Sequence, residues 1–380
     1  MTTIGRLSDF CKVIAGQSPK GSSYNKNGKG IEFHQGKKAF GKEVIEPSGV
    51  WTTEITKVAE AGDILMSVRA PVGPTNFTDR KVCIGRGLAA IRCSTEVLPQ
   101  YILYSLRSIQ DKIVGKDGAV FNSINKEMIE NLPVPSLSLA EQQRIVDILD
   151  EAFEKIDALK ANAEQNLQNA KALFQSSVQE VFSEHPEWRW DTIGNVCKTG
   201  AGGTPAKIHK DYYEGGTIPW LRSGEVCQRY IYETEMFITQ MGFENSSAHW
   251  FPENTVLVAM YGATAGQVGI LKIRTTTNQA VCGIFPNEKI VPEFLYYALL
   301  HAQKGLVAKA TGNAQPNISQ IKVKGTSIPI ISIGEQKEVV ARLDNLNDRC
   351  KALQTNYDKT LTLCDDLKQA LLRKAFNGEL

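Results

Sequence analysis

Long hydrophobic runs are missing from this 380-residue chain. No stretch of about 18 apolar residues occurs, which excludes a helical membrane span. The opening MTTIGRLSDF lacks the charged-then-apolar pattern of a secretory signal, so a cytoplasmic protein is expected. Histidine is scarce and scattered. His34, His185, His209, His249 and His301 do not cluster at metal-ligand spacing. Eight cysteines occur, but no Cys-x-x-Cys pair. Neither a disulfide framework nor a structural zinc site is expected; reduced, mostly buried thiols are. Catalytic signatures are missing as well. There is no Gly-x-Ser-x-Gly elbow, and NLPV at Asn131 is not the Asn/Asp-Pro-Pro-aromatic tetrad of an adenine methyltransferase. No catalytic residue, cofactor or metal is expected, which favours a binding or scaffolding protein.

One stretch, GQSPKGSSY (residues 16–24), imitates a phosphate-cradling loop. Gly16 and Gly21 have the P-loop glycine spacing, but that loop then demands Lys followed by Ser/Thr. Here Ser22 and Ser23 follow, and Lys20 precedes the second glycine. Nucleotide hydrolysis is excluded on this pattern.

What is present is a repeat. LPQYILYSL (98–106) matches VPEFLYYAL (291–299), EQQRIVDILD (141–150) matches EQKEVVARLD (335–344), and DILMSVRAPVG (63–73) matches TVLVAMYGATAG (255–266). Each half reads as a Gly-rich α+β module followed by a long helix. Short apolar runs bounded by Gly, Asn or Pro are strand-like, and the Pro-led segments are helix-like. The expected segments are a module at 1–139, a long helix at 140–185, a module at 186–332 and a long helix at 333–380.

Both long segments carry a heptad stripe. In the first it runs through Ile145, Leu149, Ala152, Ile156, Leu159, Ala163, Asn166, Ala170, Leu173 and Ser177. In the second it runs through Val339, Leu343, Leu346, Cys350, Leu353, Tyr357, Thr360, Cys364, Leu367 and Leu371, 194 residues on. At 1.5 Å per residue each helix is about 60 Å long. Two stripes of equal phase are expected to pack on each other as an antiparallel coiled coil, with the modules at opposite ends of a rod. Leu167, Phe174, Val178, Leu361 and Leu372 lie beside the stripe and widen the apolar face, so they are expected to dock partner helices.

The net charge of +2 is unevenly spread: +5 over residues 1–139, −5 over 140–185, +2 over 186–332 and zero over 333–380. Positive modules and non-positive helices are the distribution of a protein whose modules touch a polyanion and whose rod touches protein.

Taken together, module, long helix, module, long helix, with EQQRIVDILD and EQKEVVARLD opening the helices and LLRKAFNGEL closing the chain, resembles the specificity subunit of type I restriction-modification systems. GGTPAK and IPWLRSGEV in the second half, and GQSPKGSSY and IEFHQGKKAF in the first, are similar to family signatures. The resemblance implies that each module is a target recognition domain reading one half of a split duplex DNA sequence, with the helices as spacer. It implies two methyltransferase subunits as partners, restriction subunits in the full complex, and no membrane. Because the modules differ, an asymmetric target is expected.

Bases are read by Arg, Lys, Asn and Gln; phosphates are gripped by Lys, Ser/Thr and backbone N–H groups. The candidates in module one are Lys20, Ser22, Tyr24, Gln35, Lys37, Lys38, Arg69 and Arg86. Those in module two are Thr204, Lys207, Arg222, Tyr261 and Gln279. Gln35 aligns with Arg222, Arg69 roughly with Tyr261, and Arg86 with Gln279. The paired Gly/Asn segments at 115–125 and 309–319 are further loops expected near DNA. The competing expectation is a scaffold whose rod assembles proteins without DNA.

Overall fold

The computed structural model describes residues 3–110, 113, 123–183, 185, 187–308 and 317–380. It divides into two compact units: Met1–Gln165 with Tyr357–Leu380, and Asn166–Asn356. Both long helices, Leu139–Ser183 and Ile333–Phe376, are therefore split between units. Each opens on Ser-x-x-Glu. Ser138 Oγ accepts the Glu141 N–H and Ser332 Oγ that of Glu335, both at 3.3 Å, satisfying helix-end donors. Among the described residues no helix is long and apolar enough to cross a membrane.

In unit 1, the strand Thr3–Arg6 pairs antiparallel with Pro133–Ser136, closing the module just before the first long helix. A four-stranded sheet has the order Cys11–Ala15, Leu88–Cys93, Ile64–Ser67, Thr75–Phe77. A second, five-stranded sheet centres on the parallel pair Ile31–His34 and Val82–Ile84. Successive strand residues face opposite ways, so Ile64 and Met66 enter the main core while Leu65 joins Val82, Ile84 and Leu88 in a smaller one. A strand buried on both faces explains the unbroken apolar run at GDILMSV. The main core is completed by Tyr101 and Ile102 of the helix Pro99–Ser108, by Ile145 and Leu149 of the first long helix, and by Leu372 and Ala375 of the second. The two long helices run antiparallel here: Asp157 pairs with Lys368, and Lys160 with Asp365 at 2.7 Å.

Unit 2 repeats this plan. Arg189–Thr192 pairs with Ser327–Ile330. A five-stranded sheet contains Val256–Ala259, buried on both faces, with Val256 and Val258 in one core and Leu257 and Ala259 in another. Ile218–Leu221 lies parallel to Thr276–Thr277. Phe294 and Tyr297 of the helix Pro292–Ala308 pack with Val178, Val181, Phe182 and Leu343 of the long helices.

The heptad stripe needs correction. Ile145, Leu149, Ile156, Leu343, Cys350 and Cys364 are buried, and Val339, Leu346 and Leu371 are half-buried. Leu159, Leu173, Leu353 and Leu367 are 56%, 47%, 42% and 47% exposed, so they are not seam residues. An α-helix drifts about 20° per heptad from a strict seven-residue repeat, and here each helix end follows its own module rather than the repeat. The buried stripe moves one residue along, from Ser177 to Val178 and from Leu371 to Leu372.

That shift also overturns part of the expected partner surface. Val178 and Leu372 are each only 2% exposed and belong to the cores of their own units. Phe174 packs edge-on against Tyr297, ring centroids 6.3 Å apart. Leu167 and Leu361 are half-buried. At Val178, Phe174 and Leu372 each module packs over the widened face of its own helix end.

Candidate nucleic-acid interface

The same loop framework is built in each unit from three pairs of equivalent hydrogen bonds. In unit 1, Gly16 N donates to Leu88 O (2.9 Å), Gln17 N to Ile84 O (2.9 Å) and Gly85 N to His34 O (2.8 Å). In unit 2, Gly202 N donates to Val281 O (3.1 Å), Gly203 N to Thr277 O (2.9 Å) and Asn278 N to Leu221 O (2.9 Å). The opening loop of each module is thereby stitched to the end of the parallel strand pair. Glycine is needed for this close approach. A Cβ on Gly16 would lie 2.2 Å from Gly85 O, and one on Gly203 would lie 2.2 Å from Ala248 N. The glycines of GQSP and GGTP thus admit neighbouring backbone rather than a phosphate.

This framework brings several candidates together. In unit 1, Ser18 Oγ donates to Gln35 Oε1 (2.9 Å) and accepts the Arg86 backbone N–H (3.2 Å). The opening loop, Gln35 and Arg86 therefore share one corner. In unit 2, the Thr204 hydroxyl donates to the Gln279 carboxamide oxygen. A cavity of about 460 Å³ is lined by Thr204, Lys207, Arg222 and Gln279, with Tyr213, Trp220, Met236 and Asn278. Gln35 and Arg222 each follow the first strand of the parallel pair directly, and Arg86 and Gln279 each lie just beyond the second. Arg69 and Tyr261 also occupy matching places, each forming an isolated bridge, to Ser123 and to Asn317.

Lys20, Lys37, Lys38, Arg69, Arg86 and Lys207 are exposed, and their side chains make no ion pair among the described residues. Lys37 and Lys38 stand on a short turn, Lys37–Ala39, and Ser22 is exposed on the turn Gly21–Ser23. Tyr24 braces the opening loop. Its hydroxyl donates to Pro19 O (3.0 Å) and its ring stacks on Phe33 at 4.9 Å. Tyr213 does the same in unit 2, donating to Pro205 O at 2.6 Å. The segments 115–122 and 309–316 lie outside the described residues.

Sequence reasoning missed Ser18, Tyr213 and Trp220. Ser18 was legible, since it shares the Ser/Thr-Pro step with Thr204; Trp220, whose Nε1 donates to Gly203 O at 2.9 Å, carried no such signal.

On the strand that leads to Gln35 stands a half-buried charged group. Glu32 accepts from Arg80 Nε (2.8 Å) and from Ser48 N (2.6 Å). Burial pushes its carboxyl upward, but these donors outweigh burial and hold it below the usual range. His34 Nε2 lies 3.2 Å from Glu32 Oε1 without hydrogen-bond alignment. Burial pushes this imidazole below its ordinary value despite the pull of Glu32, and keeps it neutral. Among the described residues no group of His, Cys, Asp and Glu is placed to hold a metal.

A family model described as the type I restriction modification DNA specificity domain matches twice, over residues 2–169 and 186–363. The chain is 42% identical over 166 residues to a putative type I restriction enzyme MjaX specificity subunit of Methanocaldococcus jannaschii. That match covers 43% of this chain and spans only 38% of that relative's length. It is 26% identical over 278 residues to the EcoR124I/EcoR124II specificity subunit of Escherichia coli, covering 70% of this chain and 68% of the relative. Among solved structures, its fold is shared with the HsdS subunit from Thermoanaerobacter tengcongensis (TM-score 0.60, 18% identity, 100% of this chain and 97% of that one). It is also shared with a chain from a structure concerned with complex assembly and conformational transition of the type I R-M system (TM-score 0.79, 18% identity, 100% and 98%). With one family model fitting both repeats, the chain belongs to the type I restriction-modification DNA specificity family.

Proposed function

We propose that this chain is a specificity subunit that reads an asymmetric, two-part duplex DNA sequence, one part with each unit. The observation that carries the reading is the doubled loop corner. One backbone framework presents Gln35 and Arg86 in unit 1 but Arg222 and Gln279 in unit 2. A shared scaffold with different hydrogen-bonding heads suits two different half-sites. The exposed lysines and arginines around the unit 1 corner supply phosphate contacts. The long helices act as spacer and hold two methyltransferase subunits, with restriction subunits added in the full complex. The chain carries no chemical step itself; adenine methylation and DNA cleavage belong to the assembly, which acts in the cytoplasm.

Fluorescence anisotropy on duplex DNA across a salt series, with methyltransferase subunits present, tests this. Phosphate contacts require log affinity to fall linearly with log salt. Absence of any salt-dependent binding refutes the reading and leaves the protein-only scaffold.

A further inference from the structure

We propose that Arg222 is a pre-positioned reader of guanine, and the residue that makes the unit 2 half-site differ from the unit 1 half-site. This rests on the DNA-reading function proposed above and names the base class that one of its positions takes. Arg222 follows the strand Ile218–Leu221 and caps the short turn Ser223–Glu225. Its backbone N–H donates to Glu225 Oε1 at 2.8 Å, and its Nε lies 3.6 Å from the same oxygen. Its Nη2 donates to Glu235 Oε2. Glu225 is itself fixed, because its other oxygen accepts the Glu235 backbone N–H at 2.8 Å. Two carboxylates therefore hold the Nε/Nη2 edge of the guanidinium. Nη1 and the second Nη2 hydrogen together form the other edge, and among the described residues Nη1 makes no hydrogen bond or ion pair.

Two parallel N–H donors in one plane match the O6 and N7 acceptors of guanine in the major groove. Holding the fork in advance removes rotamer entropy that a free arginine loses on binding. The surroundings suit a base edge rather than a phosphate. Arg222 borders the cavity with Gln279, Asn278, Thr204 and the indole of Trp220, and two carboxylates beside a phosphate would repel it. Unit 1 lacks the device. Its equivalent residue is Gln35, and the turn that follows, Lys37–Ala39, carries no carboxylate. Arginine and bracket occur together in one unit and are absent together from the other.

The test is selection from a randomised duplex library by the full chain assembled with its methyltransferase subunits, followed by sequencing of bound DNA. The wild-type complex is expected to select a two-part motif with an invariant G·C pair in one part. Arg222→Gln should lower the preference at that pair by roughly ten- to hundredfold, and leave the other part unchanged. Glu235→Gln, which keeps the arginine but loosens its bracket, should lose less at the same pair. Thermal melts establish that both variants fold. Retention of the wild-type motif by both variants overturns the proposal. So does a loss of affinity spread evenly over all sequences, which marks a phosphate contact. Failure of the wild-type complex to select any two-part motif instead sinks the DNA-reading function itself, and the Arg222 assignment with it.

Discussion

The side-chain oxygen of Gln142 accepts the backbone N–H of Leu98 at 2.8 Å, and Gln336 repeats the contact with Val291 at the same distance. Each glutamine also donates Nε2 to two carbonyls: Gln142 to Leu137 (2.9 Å) and Glu96 (3.3 Å), Gln336 to Ile331 (3.0 Å) and Lys289 (2.9 Å). Both side chains are buried. They tie the start of each long helix to the start of the module's own helix, and they are the second residue of the repeated Glu-Gln motif.

Replacing Gln142 by Ala strands one N–H and two carbonyls in a buried setting. A loss of about 2–4 kcal/mol is expected, because each unsatisfied buried group costs about 1–3 kcal/mol and partial rehydration offsets some of it. Urea denaturation of the full chain, monitored by circular dichroism, measures this. Gln336→Ala should cost a similar amount.

The corrected stripe predicts opposite outcomes for two leucines of the second long helix. Leu343 is fully buried in the unit 2 core, so Leu343→Asp should cost more than about 4 kcal/mol and leave insoluble protein. Leu353 is 42% exposed, so Leu353→Asp should change stability by less than about 1 kcal/mol. Thermal melts of the two variants decide; equal damage from both would restore the strict heptad seam.

Gly16 tests the corner. Its added Cβ meets backbone atoms of Gly85 and Leu88 at 2.2 and 2.7 Å, and backbone cannot swing aside as a side chain does. Gly16→Ala should destabilise by about 1–3 kcal/mol and weaken DNA binding. Gly21→Ala, which meets nothing within 4 Å, should leave both unchanged. The comparison is made by melting temperature and anisotropy.

His34 predicts a pH dependence with a definite sign. Its folded pKa lies below its ordinary value because burial disfavours the imidazolium. As pH falls through that ordinary value, near 6.5, the unfolded chain takes up a proton that the folded chain refuses. Stability is therefore full above this range and declines from pH 7 toward pH 5. Glu32 and Arg80, the charged neighbours, do not change state in that window. Leu221 holds the equivalent place in unit 2, so His34→Leu should reduce the decline and leave the share of His301, whose imidazole burial also holds below its ordinary value. Urea titrations at pH 7 and pH 5 test it; an undiminished decline in the variant assigns the effect to other groups.

Lysine contacts are checked by salt dependence. Lys37→Ala and Lys38→Ala should each lower the slope of log affinity against log salt by about one, with no change in sequence preference. An unaltered slope removes that lysine from the interface.

Repeat, element types and family were legible from the amino-acid order alone. Those features are carried by local spacing: apolar periodicity, proline at helix starts and the doubled motifs sit in the chain regardless of how it folds. Ile145, Leu149 and Leu343 of the stripe are buried, each in the core of its own unit. Its continuation through Leu159, Leu173, Leu353 and Leu367 is not, because a helix face is buried only where another element covers it. The modules cover Val178 and Leu372 instead. Tertiary structure also decided which loop residues meet. Ser18, Gln35 and Arg86 are far apart in the chain, and only the parallel strand pair with its close glycine contacts brings them to one corner. The carboxylate bracket on Arg222 depends likewise on a turn folding back to Glu235. Local pattern dictates what each segment becomes; long-range packing decides which of its side chains are left to face a ligand.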